Sequence, residues 1–124
     1  MKIMIIDDSK VVHNYVESLL KDSEHTLLHA YDGSEGIEKV AASSAEGLDL
    51  IFLDWEMPKM TGIEVLERIG KAQGTPPIIM MTTKNDPEDI VRALTLGAKE
   101  YLMKPFTKDL LFEKINMVLS ASTG

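Results

Sequence analysis

Cysteine is absent from this 124-residue chain, and long apolar runs are absent as well. Without cysteine the chain has no disulfide, no thiolate metal site and no cysteine nucleophile. No apolar run approaches the roughly 20 residues that a membrane-spanning helix needs. The apolar N-terminal stretch stops at Asp7 and Asp8, far short of a signal-peptide core. We therefore expect a cytoplasmic protein with no membrane segment.

Basic charge is also scarce. The chain has 13 lysines and arginines against 20 aspartates and glutamates, a formal net charge of -7. No basic stripe is available to neutralise phosphates, which argues against nucleic acid as a direct partner. The length suits one domain with a single core. We predict one domain over residues 1–124, with no output domain attached.

Short apolar runs define the predicted strands. They are too short for helices and do not alternate with polar residues, which is typical of strands buried on both faces. The predicted strands cover residues 3–6, 26–31, 50–53, 78–81 and 100–103. Helical patterns lie between them, with predicted N-caps at Ser9, Asp32, Thr61, Asp86 and Thr107. This alternation predicts an α/β fold, a doubly wound parallel sheet of five strands covered by helices on both faces.

Residues suited to phosphate chemistry follow these strands. Asp7 and Asp8 end the first strand, Asp54 the third, Thr82 the fourth and Lys104 the fifth. The carboxyl ends of parallel strands share one edge of a sheet, where such folds bind ligands. If the first and third strands are neighbours, the three acids converge at that edge.

Converging acids need a counter-charge. Close carboxylates repel by roughly 4 kcal/mol per pair at an effective dielectric of about 20. Mg²⁺ relieves this repulsion, because it binds few carboxylates and shares its other positions with water and phosphate. Lys104 and Thr82 can donate to phosphoryl oxygens. The set predicts that Asp54 is a nucleophile that accepts a phosphoryl group.

Four motifs together resemble the receiver domain of two-component response regulators. They are Asp7-Asp8-Ser9, Asp54 within D-W-E-M-P-x-M-x-G, Thr82, and K-P-F at residues 104–106. The resemblance covers residues 2–119, nearly the whole chain. D-W-x-M-P, Gly97-Ala98 before Tyr101 and K-P-F-T are similar to the single-domain chemotaxis regulators of that family. The resemblance implies the strand order 2-1-3-4-5 and a cis Lys104-Pro105 bond.

The resemblance also implies the chemistry. Asp54 would take a phosphoryl group from a histidine kinase, Lys104 would pair with that group, and Thr82 would move to bond it. Mg²⁺ would be bound by the carboxylates of Asp8 and Asp54, the main-chain carbonyl of Glu56 and, mostly through water, Asp7. The chain would then be a regulator with self-phosphorylation and autodephosphorylation chemistry, and not an enzyme with a substrate of its own.

A switch surface is implied on the fourth helix, fifth strand and fifth helix. Tyr101 would turn inward on phosphorylation and reshape the surface around Ile90, Leu94 and Lys114. The expected protein is a monomeric single-domain regulator of chemotaxis or motility. Its target would be a flagellar motor switch or a phosphotransfer protein. A receiver that passes the phosphoryl group along a phosphorelay remains an alternative.

Thr83 and His13 depart from the family pattern, while Glu56, Lys84 and Trp55 neighbour the site. Thr83 stands where the family commonly has a smaller residue, so we expect it to narrow access to the site. Glu56 and Lys84 flank the site, and we expect an ion pair between them that tunes the phosphoryl lifetime. His13 stands where chemotaxis regulators often carry arginine, and we expect it on the surface. Trp55 is expected to be a partly exposed neighbour of Asp54.

Other functions stay open at this point. Haloacid-dehalogenase-like phosphatases also use an aspartate nucleophile at a strand end with an acid two residues on, as Asp54 and Glu56 are arranged. They place it on an early strand and carry a cap insertion. A flavodoxin-like flavin carrier shares the fold class, but Asp7 and Asp8 would repel the flavin phosphate. A non-phosphorylated interaction domain is a further alternative. Metal binding by His25 and His29 is not expected, because they share no helical face.

Overall fold

Five strands and five helices alternate along the chain in the computed structural model, which describes residues 1–42 and 46–123. The strands are β1 (Lys2–Ile6), β2 (Thr26–Ala30), β3 (Leu50–Asp54), β4 (Ile78–Thr82) and β5 (Glu100–Met103). The helices are α1 (Lys10–Leu20), α2 (Gly33–Ala41), α3 (Gly62–Ile69), α4 (Pro87–Thr95) and α5 (Lys108–Thr123). The predicted polar end of α2 falls partly on residues 43–45, outside the described residues.

All five strands pair in parallel, in the order β2-β1-β3-β4-β5. The predicted fold class and the strand order implied by the resemblance are both confirmed. The register pairs Ile6 of β1 with Leu53 of β3. Asp7 and Asp54, the next residue on each strand, therefore lie side by side at the carboxyl edge of the sheet.

Two apolar layers enclose the sheet, one on each face. Met4 and Ile6 face the layer that holds α3, while Ile3 and Ile5 face the layer of α1 and α5. Because alternate residues of one strand enter different layers, both sets must be apolar. This explains why β1, β3 and β4 read as continuous apolar runs.

The predicted helix caps form at the carboxyl edge of the sheet. Side chains of Ser9, Asp32, Thr61 and Asp86 accept backbone N–H groups of the helices they precede. Thr107 does the same for the N–H of Leu110, at 3.2 Å. Caps satisfy N–H groups that have no partner inside the helix. Across the described residues, no helix is both long and apolar enough to cross a membrane.

Candidate functional site

Three aspartates meet at the carboxyl ends of β1 and β3. Carboxylate oxygens of Asp7, Asp8 and Asp54 all lie within 4.8 Å of one another. Asp7 and Asp54 are buried, at 0% and 4% exposure, while Asp8 faces solvent. The structure thus brings the three predicted acids together, with an opening to solvent at Asp8. Such a set of hard oxygen ligands fits Mg²⁺.

Lys104 supplies a positive charge between the two buried acids. Its Nζ donates to Asp7 Oδ2 at 3.0 Å and to Asp54 Oδ1 at 2.9 Å. Its backbone N–H donates to the carbonyl of Thr82 at 2.8 Å, which fixes the turn after β5 beside β4. The Lys104-Pro105 peptide bond is cis, as the resemblance implies.

The buried position of Asp54 makes its carboxylate unusually basic. Burial raises the pKa of Asp54 from 3.8 to about 6, against the hydrogen bond from Lys104, which lowers it; the charge of Asp7 raises it further. Burial lowers the pKa of Lys104, but the hydrogen bond and charge of Asp54 and the charge of Asp7 outweigh burial and raise it. Asp54 is therefore ionised near neutral pH, yet more basic than an ordinary carboxylate, which suits a nucleophile.

The backbone N–H and both carboxylate oxygens of Asp7 have hydrogen-bond partners. Its backbone N–H donates to the carbonyl of Ala30 at 3.1 Å. Its Oδ1 accepts the N–H of Ser9 at 2.9 Å, and its other oxygen accepts from Lys104. A carboxylate with this many partners keeps a fixed orientation, so Asp7 defines one wall of the site.

Gly62 allows α3 to begin directly against the end of β3. Its N–H donates to the carbonyl of Trp55 at 2.8 Å. A Cβ at this position would meet the carbonyl oxygen of Asp54. A side chain here would therefore displace either α3 or the end of β3.

The two threonines after β4 take different positions. Thr82 is 3% exposed, and its hydroxyl accepts the N–H of Lys84 at 2.9 Å. Thr83 is exposed, and its hydroxyl donates to Glu56 Oε1 at 3.0 Å. A pocket of about 190 Å³ at the site is lined by Asp7, Asp8, Ser9, Asp54, Glu56, Thr83 and Lys104. Thr83 thus stands at the pocket wall while Thr82 bonds its own loop.

Two expectations about residues beside this pocket were wrong. Among the described residues no ion pair joins Glu56 to Lys84: Glu56 accepts from Thr83, and Lys84 Nζ lies 5.7 Å from the centroid of the Trp55 ring. Trp55 is 7% exposed rather than partly exposed. The alternation of β3 continues past Asp54, so Trp55 enters the same apolar layer as Leu53.

His13 is not on the surface, contrary to expectation. It is 2% exposed, because it lies on the buried stripe of α1 with Val16 and Leu20. Its Nε2 is 2.8 Å from the carbonyl oxygen of Asp7, and its Nδ1 is 2.7 Å from Nδ1 of His29. The sequence offered no motif for this pair. In the part of the chain that is described, the three aspartates are the only group of three or more residues with metal-ligand spacing.

The residues of the implied switch surface lie on α4, β5 and α5. Tyr101 is half-buried on β5, and Lys114 Nζ lies 5.3 Å from its ring centroid. Lys114 also pairs with Glu100 at 3.1 Å. Ile90 and Leu94 lie one turn apart on α4, with Leu94 42% exposed. Tyr101 and Lys114 are thus in contact.

Comparison with known proteins identifies the family. Residues 3–116 match the response regulator receiver domain. The chain belongs to this family. Receiver domains are phosphorylated by histidine kinases, bind Mg²⁺ through acidic residues and bind downstream targets; they are regulators rather than classical enzymes.

Relatives of this receiver include both single-domain and longer regulators. It is 36% identical over 118 residues to the transcriptional regulatory protein DltR of Streptococcus agalactiae, covering 94% of this chain but 51% of that protein. The chain therefore spans about half the length of that relative. It is 32% identical over 127 residues to a chemotaxis protein CheY homolog of Campylobacter jejuni, covering 100% of this chain and 96% of that protein.

Solved structures show the same fold. The chemotaxis protein CheY4 of Vibrio cholerae superposes on this receiver with a TM-score of 0.81 at 31% identity, covering 94% of this chain and 97% of that chain. Membership of the receiver family leaves the phosphatase and flavin-carrier hypotheses without support.

Proposed function

We propose that this receiver accepts a phosphoryl group on Asp54 from the phosphohistidine of a histidine kinase. A carboxylate oxygen of Asp54 forms the new bond to phosphorus as the phosphorus–nitrogen bond breaks, and the leaving imidazole nitrogen takes up a proton. Lys104 pairs with the transferred group, and Thr82 leaves its bond with the N–H of Lys84 to donate to a phosphoryl oxygen. No other residue needs to act as a nucleophile.

The aspartate cluster is the proposed magnesium site. Asp8, Asp54 and the main-chain carbonyl of Glu56 would bind the ion directly, and Asp7 mostly through water. Bound Mg²⁺ supplies positive charge for the phosphoryl oxygens. The carboxylate oxygens within 4.8 Å of one another support this assignment, because three such groups favour a divalent cation over water alone.

The bridging position of Lys104 is the observation on which the proposal depends. Its Nζ lies about equally far from Asp7 and Asp54, at 3.0 and 2.9 Å, in a largely buried setting. A cation in this position can stabilise the negative charge that develops on the oxygens of a phosphoryl group bound to Asp54. The same lysine keeps the acceptor carboxylate ionised despite its burial.

Intact mass after incubation with acetyl phosphate tests the acceptor. With Mg²⁺ the wild-type protein should gain one phosphoryl group; with EDTA it should gain none. Asp54→Asn should gain none under either condition. Asp49→Asn is the matched control, because Asp49 is an exposed acid at the opposite end of β3, and it should be labelled as the wild type is. Labelling of Asp54→Asn would overturn the assignment.

Thr83 and Glu56 are proposed to limit access to Asp54 and to tune the phosphoryl lifetime, with Lys84 held beside them over Trp55. The support is the 3.0 Å hydrogen bond between Thr83 and Glu56, which lies at the pocket wall. Thr83→Ala removes that bond and the methyl and hydroxyl groups beside the pocket. Its labelling by acetyl phosphate should be several-fold faster than wild type, in the time course of the same mass assay. An unchanged rate would contradict a limiting role.

A motility output is the proposed role of the phosphorylated state. Its support is the similarity to CheY homologs over nearly their full length, although DltR shows that similar receivers also occur in transcriptional regulators. The surface of Ile90, Leu94, Tyr101 and Lys114 would bind a flagellar motor switch protein. We propose a monomer that acts in the cytoplasm, as one receiver domain over residues 1–124.

Binding assays separate the possible outputs. Labelled and unlabelled protein would be compared for binding to a purified flagellar motor switch protein and to a histidine phosphotransfer protein. Tighter binding of the labelled form to the motor protein supports the motility role. Transfer of the phosphoryl group to the phosphotransfer protein, without motor binding, would instead establish the phosphorelay alternative. Gel filtration at micromolar concentration checks the monomer.

A further inference from the structure

Two histidines connect the edge of the sheet to the turn that holds Asp7 and Asp8. His13 on α1 is buried, and its ring lies 4.3 Å from the ring of Tyr31 between centroids. Its two ring nitrogens have one partner each: the carbonyl oxygen of Asp7 at 2.8 Å and Nδ1 of His29 at 2.7 Å. His29, on the edge strand β2, is half-buried.

The partners of His13 determine which nitrogen carries the proton. A carbonyl oxygen only accepts, so His13 Nε2 must donate to Asp7. In the neutral ring Nδ1 of His13 is then an acceptor, and His29 must donate to it from its own Nδ1. Burial lowers the pKa of His29, and the charge of His13 lowers it further.

These hydrogen bonds run from His29 to His13 and end on the carbonyl oxygen of the peptide group that joins Asp7 to Asp8. The Asp7 side chain and N–H are bonded to Ser9, Lys104 and Ala30, and the bond from the Ser9 N–H to Asp7 Oδ1 closes a turn around the Asp7–Asp8 peptide. The hydrogen bond from His13 to the carbonyl oxygen of that peptide is a second restraint on the direction in which Asp8 leaves the strand. Asp8 is the exposed member of the cluster and has no ion pair among the described residues.

We infer that His13, oriented by His29, is a positioning residue that holds the Asp7–Asp8 peptide so that Asp8 points at the magnesium site. The inference rests on the proposed function, because it assigns these histidines to the site where Mg²⁺ would bind. Neither histidine touches the ion. Groups that orient metal ligands in this way typically change metal affinity 10–100-fold when they are removed.

The arrangement of protons is the first test. Long-range ¹H–¹⁵N spectra of the wild-type protein at pH 8 should show His13 protonated at Nε2 and His29 protonated at Nδ1, without Mg²⁺. This readout does not depend on phosphorylation. Protonation of His13 at Nδ1 instead would remove the donor to Asp7 and overturn the inference.

Magnesium affinity, measured by calorimetry at pH 8, is the second test. His13→Leu removes the donor and should weaken Mg²⁺ binding about tenfold. His13→Gln keeps an N–H near the place of Nε2 and should bind within about twofold of wild type. His25→Gln is the matched control, since His25 lines the same edge of α1 and β2 but lies outside the His13–His29 pair, and it should bind as wild type does.

His29→Leu covers the case in which the buried His13→Leu does not fold. It leaves Asp7 and His13 in place, and should weaken Mg²⁺ binding about threefold by freeing the His13 ring to take the other tautomer. A folded His13→Leu or His29→Leu protein that has lost thermal stability but still binds Mg²⁺ as wild type does would show that the pair serves only packing. That result would overturn this inference while leaving the proposed magnesium site intact. Wild-type protein that binds no Mg²⁺ would overturn the proposed magnesium site together with the inference.

Discussion

At the scale of single residues, Asp54 is placed where its charge is disfavoured. It is buried beside Asp7 and within reach of Asp8, and one hydrogen bond from Lys104 does not offset the cost of burial. The Asp54 carboxylate is therefore a source of instability in the metal-free protein. This is the usual compromise of a functional site, where the chemistry requires charges that the fold alone would not keep.

Asp54→Asn should stabilise the metal-free protein, and the gain should depend on pH. The folded pKa of Asp54, about 6, lies above the ordinary value of 3.8, so the folded state binds the proton more tightly than the unfolded state. Protonated Asp54 therefore favours the folded state fully below pH 4, and this contribution to the free energy of unfolding is lost as the pH rises through 6. We expect Asp54→Asn to gain about 1–2 kcal/mol at pH 7.5, after the lost bond to Lys104 is counted, and almost nothing at pH 4.

Urea unfolding in EDTA, followed by Trp55 fluorescence, measures that gain. Asp49→Asn serves as the control, because Asp49 is exposed and lies at the other end of β3. An equal gain for Asp54→Asn at both pH values would mean that packing, and not charge, is responsible.

At the scale of elements, β5 and α5 are joined by one ion pair. Glu100 begins β5, and Lys114 lies on α5; their side chains are 19% and 18% exposed. Glu100 Oε1 also accepts the N–H of Tyr101 at 3.0 Å, so one oxygen serves both elements. Because Lys114 lies over the Tyr101 ring, a movement of Tyr101 must disturb this contact.

The energy of the Glu100–Lys114 pair is expected to exceed that of a pair on the surface. A double-mutant cycle of Glu100→Gln and Lys114→Met should give a coupling of about 0.5–1 kcal/mol. The pair of Glu35 and Lys39 has the same 3.1 Å distance, but its side chains are 35% and 43% exposed. Its cycle should give about 0.3 kcal/mol. Equal couplings in urea unfolding would show that exposure does not set the difference.

The most accurate predictions from the sequence were those of the strands and the helix caps. β1, β3 and β4 were predicted because strands buried on both faces must be apolar throughout. The caps were predicted because only a few side chains can accept a helix N–H. The order of the strands was not derivable from these patterns, since each crossover could lead to either side of the sheet. It came with the resemblance.

The residues of the site likewise include some that the sequence predicted and some that it did not. Asp54 and Lys104 were predicted because they end strands, and parallel strands bring their ends together. The pair of His13 and His29 was missed, because residues 16 apart on a helix and an edge strand carry no motif. The expectation of a partly exposed Trp55 was wrong, because the strand alternation places its side chain in the apolar layer with Leu53.

At the scale of the whole molecule, Mg²⁺ should stabilise the fold by mass action. An ion bound only by the folded state adds about 2.7 kcal/mol at one hundred times its dissociation constant, or roughly 10 °C in Tm for a domain of this size. Scanning calorimetry with MgCl₂ measures this shift, with NaCl at equal ionic strength as the control. Asp8→Asn should lose most of the shift, whereas Asp49→Asn should keep it. No shift in the wild type at tens of millimolar MgCl₂ would contradict a magnesium site.

The contact between Lys104 and Asp7 spans 97 residues of the chain. The lysine that completes the site is therefore among the last parts of the domain to leave the ribosome, long after the acids have emerged. A nascent or truncated chain that ends before β5 holds Asp54 without its cation. Under the proposed function, transfer to Asp54 should therefore begin only after Lys104 has been made and β5 has joined the sheet.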